Sequence, residues 1–376
     1  MNVLITGGAG FVGTHTAQAL HAAGHEVRIL DVLDPQIHGD DPGFPEALSS
    51  IADCIRGDVR DVATCMRVLE GMDCVFHLAS RTGVGQSMYD MSDYVATNVL
   101  GTTALIEAVV KGRQALKRFV LSSSRAVYGE GMFRCEVHGA VHPPIRDPQA
   151  MRSGDFSMRC AQCGAEMSAI PTPPDCPAEP LSIYAMSKKQ QEDYCQYAAR
   201  TFGLPLITLR YFNVYGSLQS LRNPYTGVVS IFYSLLRNGR SISLYERGLP
   251  LRDFVHVSDV VRANLLAMNE KLAPGSVFNV GTGVAATIGQ IAKAQADAMG
   301  VAAVLEDRGE YRVGDVFGCY ADLSHSRQVL AYAPEVDLVT GMREFVAWAD
   351  GRVSVDQYDK TVAELSAHGL FGKTGA

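Results

Sequence analysis

The chain has 376 residues, 47% of them apolar and 19% charged, which is enough to bury one large core or a core with a smaller companion domain and too apolar for disorder. A net charge of −7, with no long block of like charge, gives no basic face for nucleic acid and leaves small-molecule chemistry. The N-terminus runs straight into Val3-Leu4-Ile5 with no basic region and no long apolar stretch, so neither a signal peptide nor a membrane span is expected and the protein is placed in the cytoplasm.

Short runs rich in Val, Ile and Leu at 3–6, 27–31, 74–78 and 119–122 alternate with helical patterns at 11–23 and 98–110. That rhythm predicts βαβ units and a doubly wound, Rossmann-type parallel α/β sheet. Directly after the first run comes Gly7-Gly8-Ala9-Gly10-Phe11-Val12-Gly13. Glycines in such a turn let the backbone approach a pyrophosphate, and the helix N-terminus offers unpaired N–H groups and partial positive charge. Gly7, Gly10 and Gly13 fit those roles, with Phe11 and Val12 opening the helix; a plain turn is the alternative. Asp31 ends the next strand, where a carboxylate accepts the ribose hydroxyls and repels a 2′-phosphate, so NAD is expected over NADP. The bland reading of Asp31 is a cap or turn residue. Asp58-Val59 would sit beside adenine, and Leu78-Ala79 would line the cofactor trough.

From 130 to 180 the periodicity collapses into Cys, Pro, Gly and isolated charges, with Pro143-Pro144 and Pro171-Thr172-Pro173-Pro174 as breakers. This reads as an insertion. Within it, Cys135-Glu136-Val137-His138 and Cys160-Ala161-Gln162-Cys163 have the spacing of a zinc ribbon or knuckle. Four ligands with no place for water would make a structural zinc site, standing in for a core that so short a segment cannot build. His142 and Cys176 compete with His138 for the fourth place, and an ordinary loop with free thiols is the alternative. The scattered Cys54, Cys65, Cys74, Cys195 and Cys319 read as free thiols of a reducing compartment.

Helical periodicity resumes at 184–202, opening on Tyr184-Ala185-Met186-Ser187-Lys188. Tyr184 and Lys188, at i and i+4, share one helix face. A phenol titrates near ~10, and a neighbouring ammonium lowers that value toward a usable acid/base. Ser122-Ser123-Ser124 end a predicted strand, where a hydroxyl would hold a substrate oxygen beside the tyrosine. Another strand-like run follows at 206–211, then a loop-rich region at 222–248, and runs at 253–257 and 277–280 that are expected to return to the main sheet.

With these residues in place the chain resembles the extended short-chain dehydrogenase/reductase family, in particular its nucleotide-sugar epimerases and dehydratases, over nearly everything outside the insert. The likeness rests on the turn from Thr6 to Gly13, on His77-Leu78-Ala79, Asn98, and Ser122-Ser123-Ser124 with Val127-Tyr128-Gly129. It rests equally on Tyr184 with Lys188, Arg210-Tyr211-Phe212-Asn213-Val214-Tyr215-Gly216, Arg252-Asp253-Phe254-Val255-His256-Val257, Asn279-Val280-Gly281-Thr282-Gly283 and Arg312-Val313-Gly314-Asp315.

The resemblance implies an NAD site that includes Asn98, Ser122 and Tyr211, with Lys188 on the nicotinamide ribose. It implies a nucleotide-diphosphate sugar as substrate, held at the reacting hydroxyl by Ser124 and Tyr184, at the phosphates by Asn213, Arg252 and Arg312, and in the nucleotide or sugar pocket by Arg81. It further implies a cofactor domain at 1–129, 181–216 and 253–285, a substrate domain at 217–252 and 286–376, and a homodimer through 98–110 and 184–202.

The family's 4,6-dehydratases carry an Asp-Glu pair after the catalytic hydroxyl residue, and related decarboxylases place a glutamate there. Here those places hold Arg125 and Ala126. Reversible oxidation at C4 remains, as in a 4-epimerase passing through a 4-keto sugar; a dehydrogenase or 4-ketoreductase would use the same residues and differ in net cofactor turnover. Tyr128-Gly129-Glu130-Gly131, followed by a Cys/His insert ending in Pro171-Thr172-Pro173, resembles the branch that includes dTDP-L-rhamnose 4-epimerases. A redox- or metal-sensing binding protein ranks lower, because such scaffolds commonly lose the tyrosine and lysine kept here.

Overall fold

Every second residue of each apolar run faces the same side, and both sides are apolar, so these strands are buried on two faces. In the computed structural model, which describes residues 1–39, 43–223, 225 and 227–375, they form one parallel sheet. Its strands are β1 (Asn2–Thr6), β2 (Glu26–Asp31), β3 (Ala52–Arg56), β4 (Cys74–His77), β5 (Arg118–Ser124), β6 (Leu206–Tyr211) and β7 (Ser276–Val280), in the order β7-β6-β5-β4-β1-β2-β3. Val3 lies in register with Val27 on one side and Cys74 on the other. The strand order reverses at that point, and ligand clefts form there in open sheets.

Two helical layers cover the sheet. Val3, Ile5, Phe76 and Phe278 pack against Ala17 and Leu20 of α1 (Phe11–Ala22) and Val260 and Ala263 of the helix Val257–Ala267. Leu4, Val75, Phe119 and Leu121 face Leu105 and Ala108 of α2 (Gly101–Lys111) and Cys195 and Ala198 of α3 (Ile183–Phe202). Each such fully buried aromatic or aliphatic side chain contributes roughly 1.5–3 kcal/mol. The helix expected at 98–110 begins in a π-helical turn, Val95–Leu100, and becomes α-helical at Gly101. α3 starts where Ser182 Oγ accepts the Ala185 amide at 3.1 Å and stops at Gly203, whose φ of +71° ends it in the left-handed region.

One expected strand goes elsewhere. The 277–280 run joins the main sheet as β7, but Phe254–His256 pairs in parallel with Asn213–Tyr215 in a separate two-stranded sheet. β7 already occupies the edge of β6, with Val277 opposite Thr208. The buried carboxylate of Asp253 then anchors the run by accepting the amides of Thr282, Gly283 and Ala321.

The insert is a small sheet, Phe133–Cys135 flanked antiparallel by Gly139–Val141 and Ser168–Ala169, around Phe133, Met158 and Met167. Backbone bonds from Gly131 to Gly318 and from Thr172 to Tyr320 stitch it to the C-terminal part. There the helices Val228–Arg237, Ile288–Met299 and Leu338–Ala349 pack around Tyr233, Ile291 and Phe345. Among the described residues, no helix is long and apolar enough to cross a membrane.

Candidate active site and cysteine cluster

Residues following the carboxyl ends of β1, β2, β4 and β5 line a cleft of about 970 Å³. Its floor at β1 requires glycine. A Cβ on Gly7, which has φ +71°, would lie 2.7 Å from Ala79 Cα, and one on Gly13 would lie 2.3 Å from the Gly7 carbonyl oxygen. Gly10 caps α1 without a side-chain hydrogen bond, which leaves the first-turn amides without a side-chain acceptor. Phe11 and Val12 continue that wall. Asp31 holds the turn from the far side, its carboxylate accepting the amides of Ala9 at 3.0 Å and Leu33 at 2.9 Å, with acceptor capacity to spare. Asp58, Val59, Leu78 and Ala79 complete the trough, and Asp58 is paired with Arg60. A cradle that any Cβ would fill, an uncapped helix N-terminus and a carboxylate one strand away fit a dinucleotide.

At the end of β5, Ser124 Oγ accepts the Ala126 amide at 3.1 Å and lies beside the Tyr184 phenol. Burial pushes that phenol above its ordinary value, opposed by the neighbouring Ser124 hydroxyl and by the charge of Arg125. Lys188 Nζ donates to the Ser122 carbonyl at 3.0 Å, and burial pushes its ammonium down to about 7 against the pull of Glu192. Lys188 was expected to lower the phenol; in this structure the cation that opposes its rise is Arg125, while the Lys188 ammonium gives one of its donors to Ser122.

Asn98 is corrected in a similar way. It is fully buried outside the cleft lining, bonding the Arg81 amide at 2.7 Å, Ser80 Oγ at 3.1 Å and Ser187 Oγ at 2.8 Å. It therefore latches the loop after β4 to α3. Arg81 lines the cleft, but its guanidinium is held by Asp34 at 2.9 Å and Asp93 at 2.6 Å. His77 is buried between Thr6 and Thr102 hydroxyls, and burial drives its pKa down to about 3, so it is neutral.

Tyr211, expected at the cofactor, lines the cleft while its hydroxyl donates to Asn264 at 2.5 Å. Asn213 Oδ1 and Arg312 Nε are buried there without a protein partner among the described residues. Arg252 is anchored by Asp315 at 2.9 Å and by the Leu251 carbonyl, and Arg312 lies over the Tyr245 ring. Sequence reasoning missed the remaining walls: Arg125, Tyr245 and Glu246, and Tyr358, Thr361 and Leu365 near the C-terminus. Arg125 was signalled by its place after Ser124; the others carry no motif.

In the insert, Cys135 Sγ lies 3.6 Å from His138 Nδ1 and 3.6 Å from Cys163 Sγ, and Cys160 Sγ lies 3.4 Å from His138 Nδ1. All four donor atoms fall within 4.8 Å of one another. Tetrahedral zinc, with Zn–S about 2.3 Å and Zn–N about 2.0 Å, spaces its ligands roughly 3.5–3.8 Å apart, so the group fits that ion. Amides of His138 and Val137 hold the Cys135 thiol down at about 6, toward the thiolate a metal needs. Of the competitors, His142 instead faces the carbonyls of Tyr128 and Glu130, and Cys176 packs in the main core.

A Rossmann sheet with a glycine cradle, a carboxylate at the end of the next strand, and a serine at the end of β5 beside a Tyr-Lys pair on α3 is the arrangement of an NAD-dependent enzyme of the extended short-chain dehydrogenase/reductase class. The family model for the NAD dependent epimerase/dehydratase family matches residues 3–147 and 157–281, and the chain belongs to that family. It is 35% identical to a dTDP-L-rhamnose 4-epimerase of Burkholderia thailandensis over 92% of this chain and 94% of that one. A UDP-glucose 4-epimerase of Thermotoga maritima, solved with UDP-glucose, is 31% identical with a TM-score of 0.74, covering 93% of this chain and 98% of that one. A UDP-glucuronic acid 4-epimerase of Bacillus cereus, solved with UDP-glucuronic acid and NAD, is 25% identical with a TM-score of 0.73, covering 93% and 98%.

Proposed function

We propose that this chain is an NAD-dependent nucleotide-sugar 4-epimerase that converts dTDP-L-rhamnose into dTDP-6-deoxy-L-talose through a transient 4-keto sugar. The observation that carries the reading is Ser124 at the end of β5 beside the Tyr184 phenol of α3, with Arg125-Ala126 next in the chain, which offers neither the acid nor the base that dehydration needs. The 35% identity to the Burkholderia enzyme supports the choice of sugar.

Ser124 orients the C4 hydroxyl, and Tyr184 takes its proton as the phenolate and later returns it. When bound, NAD supplies the acceptor for the C4 hydride and gives it back to the opposite face. Lys188 reaches the cofactor ribose, Asp31 accepts the adenosine ribose hydroxyls, and Asn213, Arg252 and Arg312 hold the diphosphate so that the sugar turns while the nucleotide stays. Asn98 acts through the loop it latches.

The insert holds a structural zinc on Cys135, His138, Cys160 and Cys163. The chain divides into a cofactor domain at 1–129, 181–216 and 253–285, the insert at 130–180, and a substrate domain at 217–252 and 286–376, of which 224, 226 and 376 lie outside the described residues. It works in the cytoplasm as a homodimer. Apolar side chains left exposed on the pairing helices support that assembly: Leu100 at 53%, Tyr197 at 56% and Phe202 at 56%.

The test is incubation of the purified protein with a panel of nucleotide sugars, dTDP-L-rhamnose among them, with and without NAD. C4 stereochemistry is followed by NMR and NADH by absorbance. Isomerised sugar without NADH accumulation is expected. Stoichiometric NADH with a keto product would make the protein a dehydrogenase instead.

A further inference from the structure

Arg125 lines the catalytic cleft without a counterpart in the protein. It follows Ser124 in the 3₁₀ turn Arg125–Tyr128 and borders the cleft with Tyr184, Arg252 and Asp315. The buried arginines are tethered: Arg118 to the carbonyls of Asn269 and Leu272, Arg146 to Glu246, Arg210 to Glu192 and Arg252 to Asp315. Arg125 makes no hydrogen bond or ion pair among the described residues, and its Nη1 is buried and unsatisfied. Burial and the charge of Arg252 both disfavour its cation, and the charges of Asp315 and Glu130 favour it without a hydrogen bond to either. A guanidinium left this way is costly to the empty protein, and an oxygen-bearing ligand removes the cost.

We propose that Arg125 is the residue that reads the sugar, donating its fork to oxygens of the hexose between the reacting hydroxyl and the diphosphate. This rests on the nucleotide-sugar reading above. The placement follows from the chain: Ser124, its neighbour, marks the reacting end, and Arg252 and Arg312 mark the diphosphate end. The planar fork suits a pair of neighbouring sugar hydroxyl oxygens. Of the two arginines given to the diphosphate, Arg252 is fixed by Asp315 and the Leu251 carbonyl and Arg312 lies over the Tyr245 ring, which leaves Arg125 with neither kind of contact.

The experiment measures, by calorimetry on the NAD-loaded protein, the affinity for a nucleotide sugar and for the matching bare nucleoside diphosphate. The pairs are dTDP-L-rhamnose with dTDP and UDP-glucose with UDP, using the pair that binds wild type more tightly. Arg125→Met is expected to weaken the nucleotide sugar at least tenfold and leave the nucleoside diphosphate unchanged. Arg125→Lys should fall between, and unchanged NAD retention and Tm establish that both variants fold. Equal weakening of both ligands would assign Arg125 to the diphosphate clamp and overturn the inference, as would no weakening of either. If neither nucleotide sugar binds wild type more tightly than its nucleoside diphosphate, the proposed function fails, and this inference fails with it.

Discussion

Arg146 of the cysteine-bearing insert and Glu246 of the cleft wall are joined by two buried hydrogen bonds. Glu246 and Arg247 have φ of +51° and +59°, a conformation that side chains other than glycine disfavour, so the pair holds a strained stretch of the wall in place. Arg146 also bonds the Asp315 carbonyl, and Glu130, at the root of the insert, accepts the amides of Phe317 and Gly318. The insert thus braces the substrate side of the cleft.

Arg146→Ala leaves Glu246 buried and unpaired, which costs about 3–5 kcal/mol. Thermal denaturation should show a lower Tm. Steady-state kinetics should show KM for the nucleotide sugar raised several-fold, with NAD affinity unchanged. A variant with wild-type KM would refute the bracing role.

One zinc per chain is expected by elemental analysis, and Cys160→Ser should lose it. Cobalt(II) in its place should give thiolate charge-transfer absorption. Chelation should lower Tm and raise KM in the same direction as Arg146→Ala, since both loosen the same wall. A protein purified from zinc-supplemented medium with no bound metal would sink the assignment.

Tyr184→Phe removes the group that carries the C4 proton and should lower kcat by about 10²–10⁴, with nucleotide-sugar affinity changed only slightly. Single-turnover NADH absorbance provides the check. A variant retaining a tenth or more of wild-type kcat would move the acid/base role elsewhere.

Burial holds Lys188 down at about 7 in the cofactor-free protein, below the ~10.4 of an unfolded lysine. Between those values the unfolded chain binds more protons than the folded one, so this lysine makes stability rise with pH. Urea denaturation at pH 7.0 and 8.5 should show wild type gaining stability relative to Lys188→Met, which lacks the titrating group. Parallel changes in the two proteins would mean that Lys188 stays charged.

Asp31→Asn keeps an acceptor for one of the Ala9 and Leu33 amides, which bond different carboxylate oxygens, and removes the charge expected to repel a 2′-phosphate. The ratio of NADP to NAD affinity, read by fluorescence titration, should rise at least tenfold. An unchanged ratio would leave Asp31 as a turn anchor alone.

Much of this protein is written in short stretches of its sequence. The turn from Gly7 to Gly13, the alternation behind β1 to β7, the Tyr184/Lys188 spacing and the two ligand pairs of the insert each depend on residues a few positions apart. Local geometry fixes what they become: a strand followed by glycines must turn, and i and i+4 must share a helix face. What lay beyond reach depends on distant partners. An apolar run at 253–257 announces a strand but not its neighbour, and β7 had already taken the edge of β6.

The same division separates the kinds of residue in the site. Sequence alone marked the candidates for the chemistry: groups for a dinucleotide, a Tyr-Lys pair for a proton, and Cys135, Cys160 and Cys163 with His138, His142 or Cys176 for a metal. Tertiary structure decided how each group is spent. Asn98 is consumed by a loop and α3, Arg81 by Asp34 and Asp93, Lys188 gives one donor to the Ser122 carbonyl, and Arg125 has no hydrogen bond among the described residues. The reason is physical: a residue's type sets what it can bond, but burial and the partners brought by segments a hundred residues away, as with Arg146 and Glu246, set what it does bond.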